Sequence, residues 1–288
     1  MSRLGIFVLW LLHFLPLPLM ALFGRLVGAC AYLFIRKRRR IARTNLALCF
    51  PELSASARER LLRRHFQCFG RALVESSVAW FGSEARLRRV VRIEGVENIE
   101  ALAGQRFIGF VPHFVGIELE GIRMSTDYRG VAVYVRQRDP YVDAFLKRKR
   151  ERFKGTRMVS RGEGVKAILR AMEGGHALQL SPDMDLGAKD AVFVPFFGVQ
   201  AATVTVLSRM ARLLKVRIVP LVVRQLPGGM GYVLRVYPAW ENYPGASVEE
   251  DTRTMNAFLE ERIREMPEQY LWTHRRFKTR PAGEPKVY

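Results

Sequence analysis

An apolar stretch at the amino terminus places the strongest constraint on how this chain can fold. Residues 4–35 are almost entirely hydrophobic, and the basic run Arg36–Arg40 follows them directly. Residues 4–23 alone are long enough for a spanning helix, which needs about 20 apolar residues. Pro16 and Pro18 lie inside them and predict a kink or a break. The stretch therefore predicts either one kinked membrane span or a hairpin that enters a single leaflet.

The basic run distinguishes a retained anchor from a cleaved signal peptide. A signal peptide has a shorter apolar region, which is followed by a cleavage site between small residues. Here the apolar stretch continues until it meets the basic run, which favours the cytoplasmic side of a membrane. We predict a membrane anchor with its basic flank over 1–40 and a larger domain over 41–288. The alternative is a buried hairpin of a soluble domain, but no polar face appears in the stretch.

The net charge of the chain favours anionic partners. Lys and Arg number 47 against 27 Asp and Glu, which gives a formal charge of +20 over 288 residues. Such a charge attracts nucleic acid, acidic lipid surfaces or acidic proteins, although it does not specify a fold. The three cysteines contain no Cys-x-x-Cys pair, so a disulfide framework or a zinc site is not expected.

The pattern of hydrophobic residues changes from helical to mixed near residue 93. Residues 41–92 predict basic helices, and strands then alternate with helices. The predicted strands lie at 106–111, 131–135, 176–180, 216–223 and 231–237, and the predicted helices at 114–124, 140–153, 163–173, 203–214 and 249–265. This alternation predicts an α/β fold with a central, largely parallel sheet flanked by helices. Ligands bind at the carboxyl ends of such strands, where His113, Arg161 and 181–185 should lie.

A His-x4-Glu pair, His113 and Glu118, is the strongest candidate for chemistry. The chain contains no GxSxG, HExxH, Walker A or GxGxxG motif, which disfavours serine esterases, metallohydrolases and nucleotide enzymes. On one helix, residues five apart point about 140° away from each other. The two side chains can therefore meet only if His113 lies on a turn before the helix, which Pro112 favours. Glu118 would then hold one imidazole nitrogen, and the other nitrogen would act as a general base on a hydroxyl. A capped structural histidine is the alternative.

Two further polar groups lie later in the chain. Backbone N–H groups around Arg161 and Glu163, just before a helix, can hold a phosphate or a developing oxyanion. A simple turn with an exposed arginine is the alternative. Asp183 and Asp185 either orient a sugar or an amide, or cap a loop; as ligands of a metal ion they are few.

Two aromatic segments complete the candidates. The run at 192–198 is consistent with an acyl-chain groove or with a wall of the core. The segment at 270–281 interleaves aromatic residues with Arg275, Arg276 and Lys278, which suits a phosphate-rich headgroup or a nucleic-acid backbone. A solvated charged terminus is the alternative for the second segment.

Together and in this order, the blocks resemble the bacterial late acyltransferases of lipid A biosynthesis, the Kdo-dependent lauroyl and myristoyl transferases. The resemblance covers nearly the whole chain. It begins with the apolar anchor, and its blocks are 43–54, His113-x4-Glu118, 161–164, 182–185, 193–198, 267–272 and 274–281. The first and the last of these blocks are far more specific than His-x4-Glu. One departure is Met184, which stands where many relatives have glutamine.

The resemblance implies an inner-membrane acyltransferase that faces the cytoplasm and shares its fold with the glycerol-phosphate acyltransferases. It would move a fatty acyl chain from acyl carrier protein to a hydroxyl of a lipid A precursor, the secondary acylation of lipopolysaccharide or lipooligosaccharide biosynthesis. By this likeness His113 is the general base, Glu118 its partner, and Arg161 an active-site arginine for the acceptor or the oxyanion. The expected substrate contacts are Arg161, Glu163, Asp183, Asp185, Arg275, Arg276 and Lys278. No metal or other cofactor is expected, because a thioester already carries the activation. No nucleic acid is expected as a partner.

Three questions stay open at this stage. A member of the same family could act on another glycolipid acceptor. A non-catalytic basic protein that binds membrane or nucleic acid is a rival of another class, although it explains neither the anchor nor the ordered blocks. The basic cluster at 147–154 is either a dock for the acidic carrier protein or a solvated helix face.

Overall fold

The computed structural model describes residues 3–153, 155–175 and 177–288. Its strands are β1 (Val91–Glu94), β2 (Phe107–Phe110), β3 (Gly130–Tyr134), β4 (Arg157–Ser160), β5 (Ala177–Leu180), β6 (Ala191–Phe196), β7 (Val199–Val204), β8 (Arg217–Gln225) and β9 (Tyr232–Val236). Within these residues, a seven-stranded sheet has the order β1-β9-β8-β2-β5-β3-β4, and β6 and β7 form a separate hairpin.

Helices cover the central sheet and form the amino-terminal part of the chain. They are α1 (Arg3–Leu12), α2 (Leu17–Phe34), α3 (Arg36–Cys49), α4 (Ala55–Phe81), α5 (Glu84–Val90), α6 (Glu97–Glu100), α7 (Ile117–Met124), α8 (Pro140–Arg150), α9 (Gly164–Ala171), α10 (Val206–Leu214) and α11 (Val248–Glu265). Side chains cap several of them: Ser54 accepts from the backbone of α4, Asp139 from that of α8 and Ser247 from that of α11. These caps satisfy N–H groups that have no partner within the helix.

The α/β fold with a largely parallel sheet is confirmed. Strand β2 pairs in parallel with β5 and with β8, and β3 joins β5 to β4 in the same sense. Among the described strands of this sheet, only β8 and β9 pair antiparallel, so β1 and β9 run against the others. All four residues of β2 are buried, as expected for an apolar strand at the centre of a parallel sheet.

The sequence prediction missed β1, β4 and the β6–β7 hairpin. β4 has only four residues, of which the first is an exposed arginine, so no apolar run marks it. The hairpin turns at Phe197 and Gly198, both with positive φ. Its first turn residue is a phenylalanine rather than the asparagine or aspartate that usually signals such a turn. The aromatic run at 192–198 therefore belongs to a hairpin.

The aromatic residues of this hairpin lie in the core. Phe196 and Phe197 are buried, and their rings contact those of Tyr270, Trp272 and Phe277. The structure thus places these two phenylalanines in the core, the second of the two interpretations.

Helix α2 lies against α4 at the distance of direct backbone contact. A Cβ atom built on Gly28 would lie 2.1 Å from the Phe66 carbonyl oxygen, and one on Gly24 would lie 2.5 Å from the Cα of Arg71. A Cβ atom on Gly70, from the other side, would lie 2.3 Å from the Gly24 carbonyl oxygen. Only glycine permits two backbones to approach this closely. The amino-terminal apolar segment is therefore docked on the domain.

Candidate active site

His113 lies on the turn between β2 and α7, where the spacing argument placed it. The Val111 amide donates to the Leu180 carbonyl at 2.9 Å, which extends the pairing of β2 with β5 past the strand end. After Pro112 the chain turns, and the Phe114 amide donates back to the Pro112 carbonyl at 2.8 Å. This turn frees His113 from the sheet at its carboxyl edge.

The imidazole of His113 is held by Asp183, which follows the neighbouring strand β5. His113 Nδ1 and Asp183 Oδ1 are 2.7 Å apart, and the His113 backbone N–H donates to Oδ2 at 3.0 Å. The Asp183 carboxylate is fully buried, whereas 26% of the His113 side chain is exposed. Burial by itself would raise the pKa of Asp183, but the charge and the hydrogen bonds of His113 outweigh it and lower that pKa. A charged Asp183 therefore favours the tautomer with hydrogen on Nδ1, which leaves Nε2 free to accept a proton.

Glu118 has partners other than the one predicted. Its Oε1 accepts from the Trp80 indole at 2.8 Å, and its Oε2 accepts from Arg150 Nη2 at 2.6 Å. The ring nitrogen that Glu118 was expected to hold is bound to Asp183 instead. Glu118 is the second residue of α7, and its contacts direct its side chain toward α4 and α8. The structure thus replaces the predicted pair of His113 and Glu118 with two separate pairs.

The pair of Glu118 and Arg150 is partly shielded from solvent. Side-chain exposure is 16% for Glu118 and 27% for Arg150, and Arg150 Nε also lies 3.1 Å from both carboxylate oxygens. Burial lowers the pKa of Arg150, but the Glu118 carboxylate outweighs it and the net shift is upward. This bidentate geometry fixes the guanidinium plane.

A carboxyl-terminal segment closes the His113 turn from the other side. The Leu271 amide donates to the His113 carbonyl at 3.0 Å, and the Val115 amide donates to the Gln269 carbonyl at 2.9 Å. Buried Asn45, on α3, donates through its side-chain amide to the carbonyls of Trp272 and His274 at 2.7 Å each. The two sequence blocks at 43–54 and 267–272 therefore meet beside the turn that carries the histidine.

His274 accepts a hydrogen bond within this segment. Its Nε2 takes the N–H of Asp185 at 3.1 Å. Burial lowers the pKa of His274 to about 4, so the ring is neutral near pH 7 and can accept. This bond ties the carboxyl-terminal segment to the loop that carries Asp183.

Asp185 and Arg276 are corrections to the predicted substrate contacts. Both are buried, and both side chains make hydrogen bonds inside the protein. The Asp185 carboxylate accepts from the amide of Gly187 at 2.9 Å and from that of Thr279 at 2.6 Å. Arg276 donates to the carbonyl of Ala202 at 2.9 Å and also to the Thr203 hydroxyl. Neither side chain is available to a lipid headgroup in this arrangement.

Arg161 is exposed at the same sheet edge as His113 but at some distance from it. It follows β4, which is separated from β2 by β5 and β3. With a strand spacing of about 4.8 Å, the two strand ends lie about 14 Å apart. Glu163 closes the turn locally, since its Oε1 accepts from the Ser160 amide at 2.8 Å. The separation favours a contact between Arg161 and a large acceptor over a contact with the oxyanion.

The other predicted basic contacts lie toward solvent. Lys278 is exposed, with Nζ 3.9 Å from Asp185 Oδ1. Arg275 is half-buried, and its guanidinium carbon lies 5.8 Å from the centroid of the Tyr288 ring. Both remain candidates for a phosphate.

The basic cluster at 147–154 divides between two faces. Lys147 and Arg148 are exposed, whereas Arg150 pairs with Glu118, and Arg152 donates to the Ala79 carbonyl at 3.0 Å. Lys154 lies outside the described residues, as does His176 at the start of a predicted strand. A dock for an acidic partner therefore depends on fewer of these cations than their number in the sequence indicates.

Sequence reasoning missed several residues that build the site. Asn45 stands in one of the quoted blocks, but nothing in its spacing pointed to the carboxyl-terminal segment. Arg150 was counted as a surface cation, because its inward direction depends on how α8 packs. Trp80, at the end of α4, carried no signal.

Comparisons with known proteins agree over the whole chain. A family model described as bacterial lipid A biosynthesis acyltransferase matches residues 1–279. The chain is similar to the lipid A biosynthesis lauroyltransferase of Escherichia coli strain K12, with 35% identity over 100% of this chain and 94% of the relative. It is 36% identical to the palmitoleoyltransferase of the same strain, over 99% of this chain and 93% of the relative. It is 28% identical to the myristoyltransferase of that strain, over 94% of this chain and 83% of the relative.

Proposed function

The chain belongs to the bacterial lipid A biosynthesis acyltransferase family, and we propose that it transfers a fatty acyl chain from acyl carrier protein to a hydroxyl of a lipid A precursor. The observation that carries this proposal is the contact of 2.7 Å between His113 Nδ1 and the buried Asp183 carboxylate. This contact leaves Nε2 of a partly exposed imidazole free to act on a hydroxyl.

The proposed reaction is a direct acyl transfer. His113 Nε2 takes the proton of the acceptor hydroxyl as its oxygen attacks the thioester carbonyl. The new C–O bond forms, the C–S bond breaks, and His113 returns the proton to the leaving thiolate. Asp183 holds the ring in one tautomer and stabilises the imidazolium that forms between these steps. A positioned general base typically contributes a factor of about 10²–10⁴ to the rate.

In this mechanism Asp183 takes the role that the sequence assigned to Glu118. Glu118, the last residue of the His-x4-Glu segment, instead binds Arg150 and the Trp80 indole. We propose that Glu118 is a positioning residue for Arg150, whose remaining N–H groups face the reacting thioester or the acceptor. The bidentate bond supports this role, because it defines the direction of the free donors.

Acceptor binding is assigned to cations at the carboxyl edge of the sheet and nearby. A lipid A precursor carries phosphates, and Arg161 and Lys278 are exposed while Arg275 is half-buried. The distance of about 14 Å between the ends of β4 and β2 fits an acceptor whose phosphate and reacting hydroxyl lie far apart. We propose that these three residues contact the acceptor.

Donor binding is assigned to the exposed part of α8. Acyl carrier protein is acidic, and Lys147 and Arg148 present exposed cations on a chain whose formal charge is +20. Opposite charges speed the encounter of two proteins more than they change its final affinity. We place the enzyme at the cytoplasmic face of the inner membrane, where the donor is found.

The test is an acyl-transfer assay with detergent-purified protein. Acyl carrier proteins charged with several chain lengths are mixed with a tetra-acylated, Kdo-bearing precursor, and mass spectrometry reads the product. We expect a mass gain of one acyl chain, which His113→Ala abolishes and the exposed control Asp190→Asn retains. A gain only on another glycolipid would support the second acceptor class. A folded protein that acylates no glycolipid would contradict the proposal.

A further inference from the structure

We propose that the amino-terminal helices α1 and α2 form a membrane-binding surface that enters one leaflet of an anionic bilayer and does not cross it. Helix α2 is long and apolar enough to span a membrane by length and composition, yet those criteria take no account of its packing. The proposal concerns the docking of these helices and does not depend on the reaction assigned above.

Both ends of α2 are fastened to the domain. At its start, a Cβ atom on Gly229, in the β8–β9 connection, would lie 2.6 Å from the Cα of Pro18. Near its end, the Tyr32 hydroxyl donates to Glu59 of α4. Between the ends, Gly24 and Gly28 touch the α4 backbone. The helix therefore lies along the domain over its whole length.

Helix α4 could not accompany α2 through a bilayer. The part of α4 beside α2 carries Glu59, Arg63 and Arg71: Arg63 lies 5.5 Å from the Tyr32 ring centroid, and the Cα of Arg71 faces Gly24. If α2 spanned the membrane in this packing, Arg71, which lies beside the middle of α2 and pairs with Glu75, would lie at the depth of the hydrocarbon, where charged side chains are strongly disfavoured. For α2 to cross the membrane, it would have to separate from α4 and break the contacts of Gly24, Gly28 and Gly70.

Both ends of helix α1 contact the domain, which places them on the same side of the membrane as the domain. The Arg3 guanidinium carbon lies 4.7 Å from the ring centroid of Tyr141, a residue of α8. At the other end of α1, Arg86 of α5 donates to the carbonyls of His13 and Leu15. A helix that touches the catalytic domain at both ends cannot have one end across the bilayer.

The surface that remains exposed is suited to lipid. Large apolar side chains recur on one stripe of each helix and are exposed to solvent: Leu4, Phe7, Val8, Trp10 and Leu11 on α1, Phe14 in the turn after it, and Leu19, Leu22, Phe23, Leu26, Leu33 and Phe34 on α2. Exposed Met230 follows Gly229, so the β8–β9 connection adds to the same surface. Contiguous apolar patches of this kind mark interaction sites.

Charge identifies the partner as an anionic membrane. Exposed Arg25 lies beside the apolar stripe of α2, and the exposed cations Arg36, Lys37, Arg38 and Arg40 follow directly on α3. Long basic side chains extend to the headgroups while their neighbours enter the acyl region. An amphipathic surface with a cationic rim binds acidic lipids in this way, whereas a face for a second copy of this chain would bring like charges together.

The first test measures on which side of the membrane α1 lies. Arg3→Cys and Tyr141→Cys are combined in a chain without Cys30 and Cys68, and a short bismaleimide is added to native membranes. We expect a cross-link within the chain, and none when Arg3→Cys is paired with Leu213→Cys, an exposed position on α10. A second readout does not need the substitution at Tyr141. In vesicles with the domain outside, an impermeant maleimide should label Arg3→Cys to the same extent as the control Leu213→Cys. Labelling of Arg3→Cys only after detergent is added would overturn the proposal in favour of a span.

The second test identifies what covers the apolar stripe. The full chain is bound to vesicles of phosphatidylethanolamine and phosphatidylglycerol that carry bromine on their acyl chains. We expect tryptophan quenching that decreases in Trp10→Phe and that is lost when phosphatidylglycerol is replaced by phosphatidylcholine. Unquenched Trp10, together with cross-linked dimers through Cys30, would assign the face to a second copy and overturn the proposal.

Discussion

His113 and Asp183 come from the loops after two neighbouring parallel strands, and their side chains meet with 2.7 Å between Nδ1 and Oδ1. The same carboxylate accepts the His113 backbone N–H through its second oxygen. One buried group therefore fixes both the ring and the backbone of the proposed base. Both hydrogen bonds need an acceptor atom on residue 183. The side-chain amide of asparagine has only one acceptor oxygen, so it cannot make both bonds.

We expect Asp183→Asn to reduce kcat by a factor of about 10²–10⁴ with little change in KM. The amide NH2 group would face either the backbone N–H or the Nδ1–H of His113, which disfavours the productive tautomer. Steady-state kinetics with a fixed acyl donor measure the effect, and the matched control Asp190→Asn, on an exposed carboxylate, should retain wild-type activity. Retention of most activity by a folded Asp183→Asn protein would refute the pairing.

The pair of Glu118 and Arg150 predicts coupled, non-additive losses. We expect Glu118→Gln and Arg150→Met each to lower kcat by about tenfold or more, and the double variant to lose no more than the worse single variant. Residues that share one ion pair typically show coupling of about 0.5–3 kcal/mol. The measurement is a double-mutant cycle on kcat.

A second cycle distinguishes this role from the one inferred from sequence. If Glu118 acted on the imidazole directly, Glu118→Gln would couple instead to Asp183→Asn, since both substitutions would disturb one ring. Multiplicative losses for Glu118→Gln with Arg150→Met would contradict the assignment. Thermal unfolding of each variant separates lost catalysis from lost folding.

Arg161 should contribute to acceptor binding more than to the chemical step. We expect Arg161→Ala to raise KM for a phosphorylated acceptor several-fold while kcat stays within about twofold, because uniform binding is lost. The effect should shrink on an acceptor that lacks the phosphate. Arg157→Ala, at the opposite end of the same strand, is the control and should leave both constants unchanged. A fall in kcat alone would instead place Arg161 at the oxyanion.

Glu120 should make stability depend on pH. Its carboxyl group is buried on α7, and within the described part of the chain its Oε1 has no hydrogen-bond partner. Burial, with a smaller contribution from the charge of Glu118, raises the pKa of Glu120 from 4.5 to about 8. At a pH between 4.5 and about 8, the Glu120 carboxyl group keeps its proton in the native state but has released it in the unfolded state. The stabilisation is complete below pH 4.5 and is lost as the pH rises through about 8.

We therefore expect the free energy of unfolding to fall by up to about 1.4 kcal/mol per pH unit in this window from Glu120 alone. Urea unfolding in detergent from pH 5 to pH 8.5 measures it. Glu120→Gln should flatten the slope, whereas Glu97→Gln, at an exposed glutamate, should retain it. An unchanged slope in Glu120→Gln would show that another group carries the dependence.

Sequence reasoning predicted that His113 and Asp183 would lie at one edge of the sheet, but it did not predict their contacts. The alternation of strands and helices predicted a parallel sheet, and parallel strands bring the loops after β2 and β5 to one edge, where His113 and Asp183 were expected. The spacing of His113 and Glu118 showed that they could meet only across a turn. It could not show that α4 and α8 would supply nearer partners for Glu118, because that depends on packing between distant segments. Arg276 was misjudged for the same reason. Its sequence context is that of a surface arginine, and only the packing of the β6–β7 hairpin buries it.

The contacts of Tyr288 have a consequence for anyone who produces this protein. The Tyr288 hydroxyl donates to Asn45 Oδ1 and accepts the Phe277 amide at 3.2 Å, and Asn45 in turn supports the segment beside His113. Proteolytic clipping of a few carboxyl-terminal residues during purification would remove that support without touching a residue assigned to substrate. A preparation of nearly full length could then appear pure on a gel and still have low specific activity. An affinity tag fused after Tyr288 carries the same risk, so intact mass is the quality check to make before any kinetic comparison.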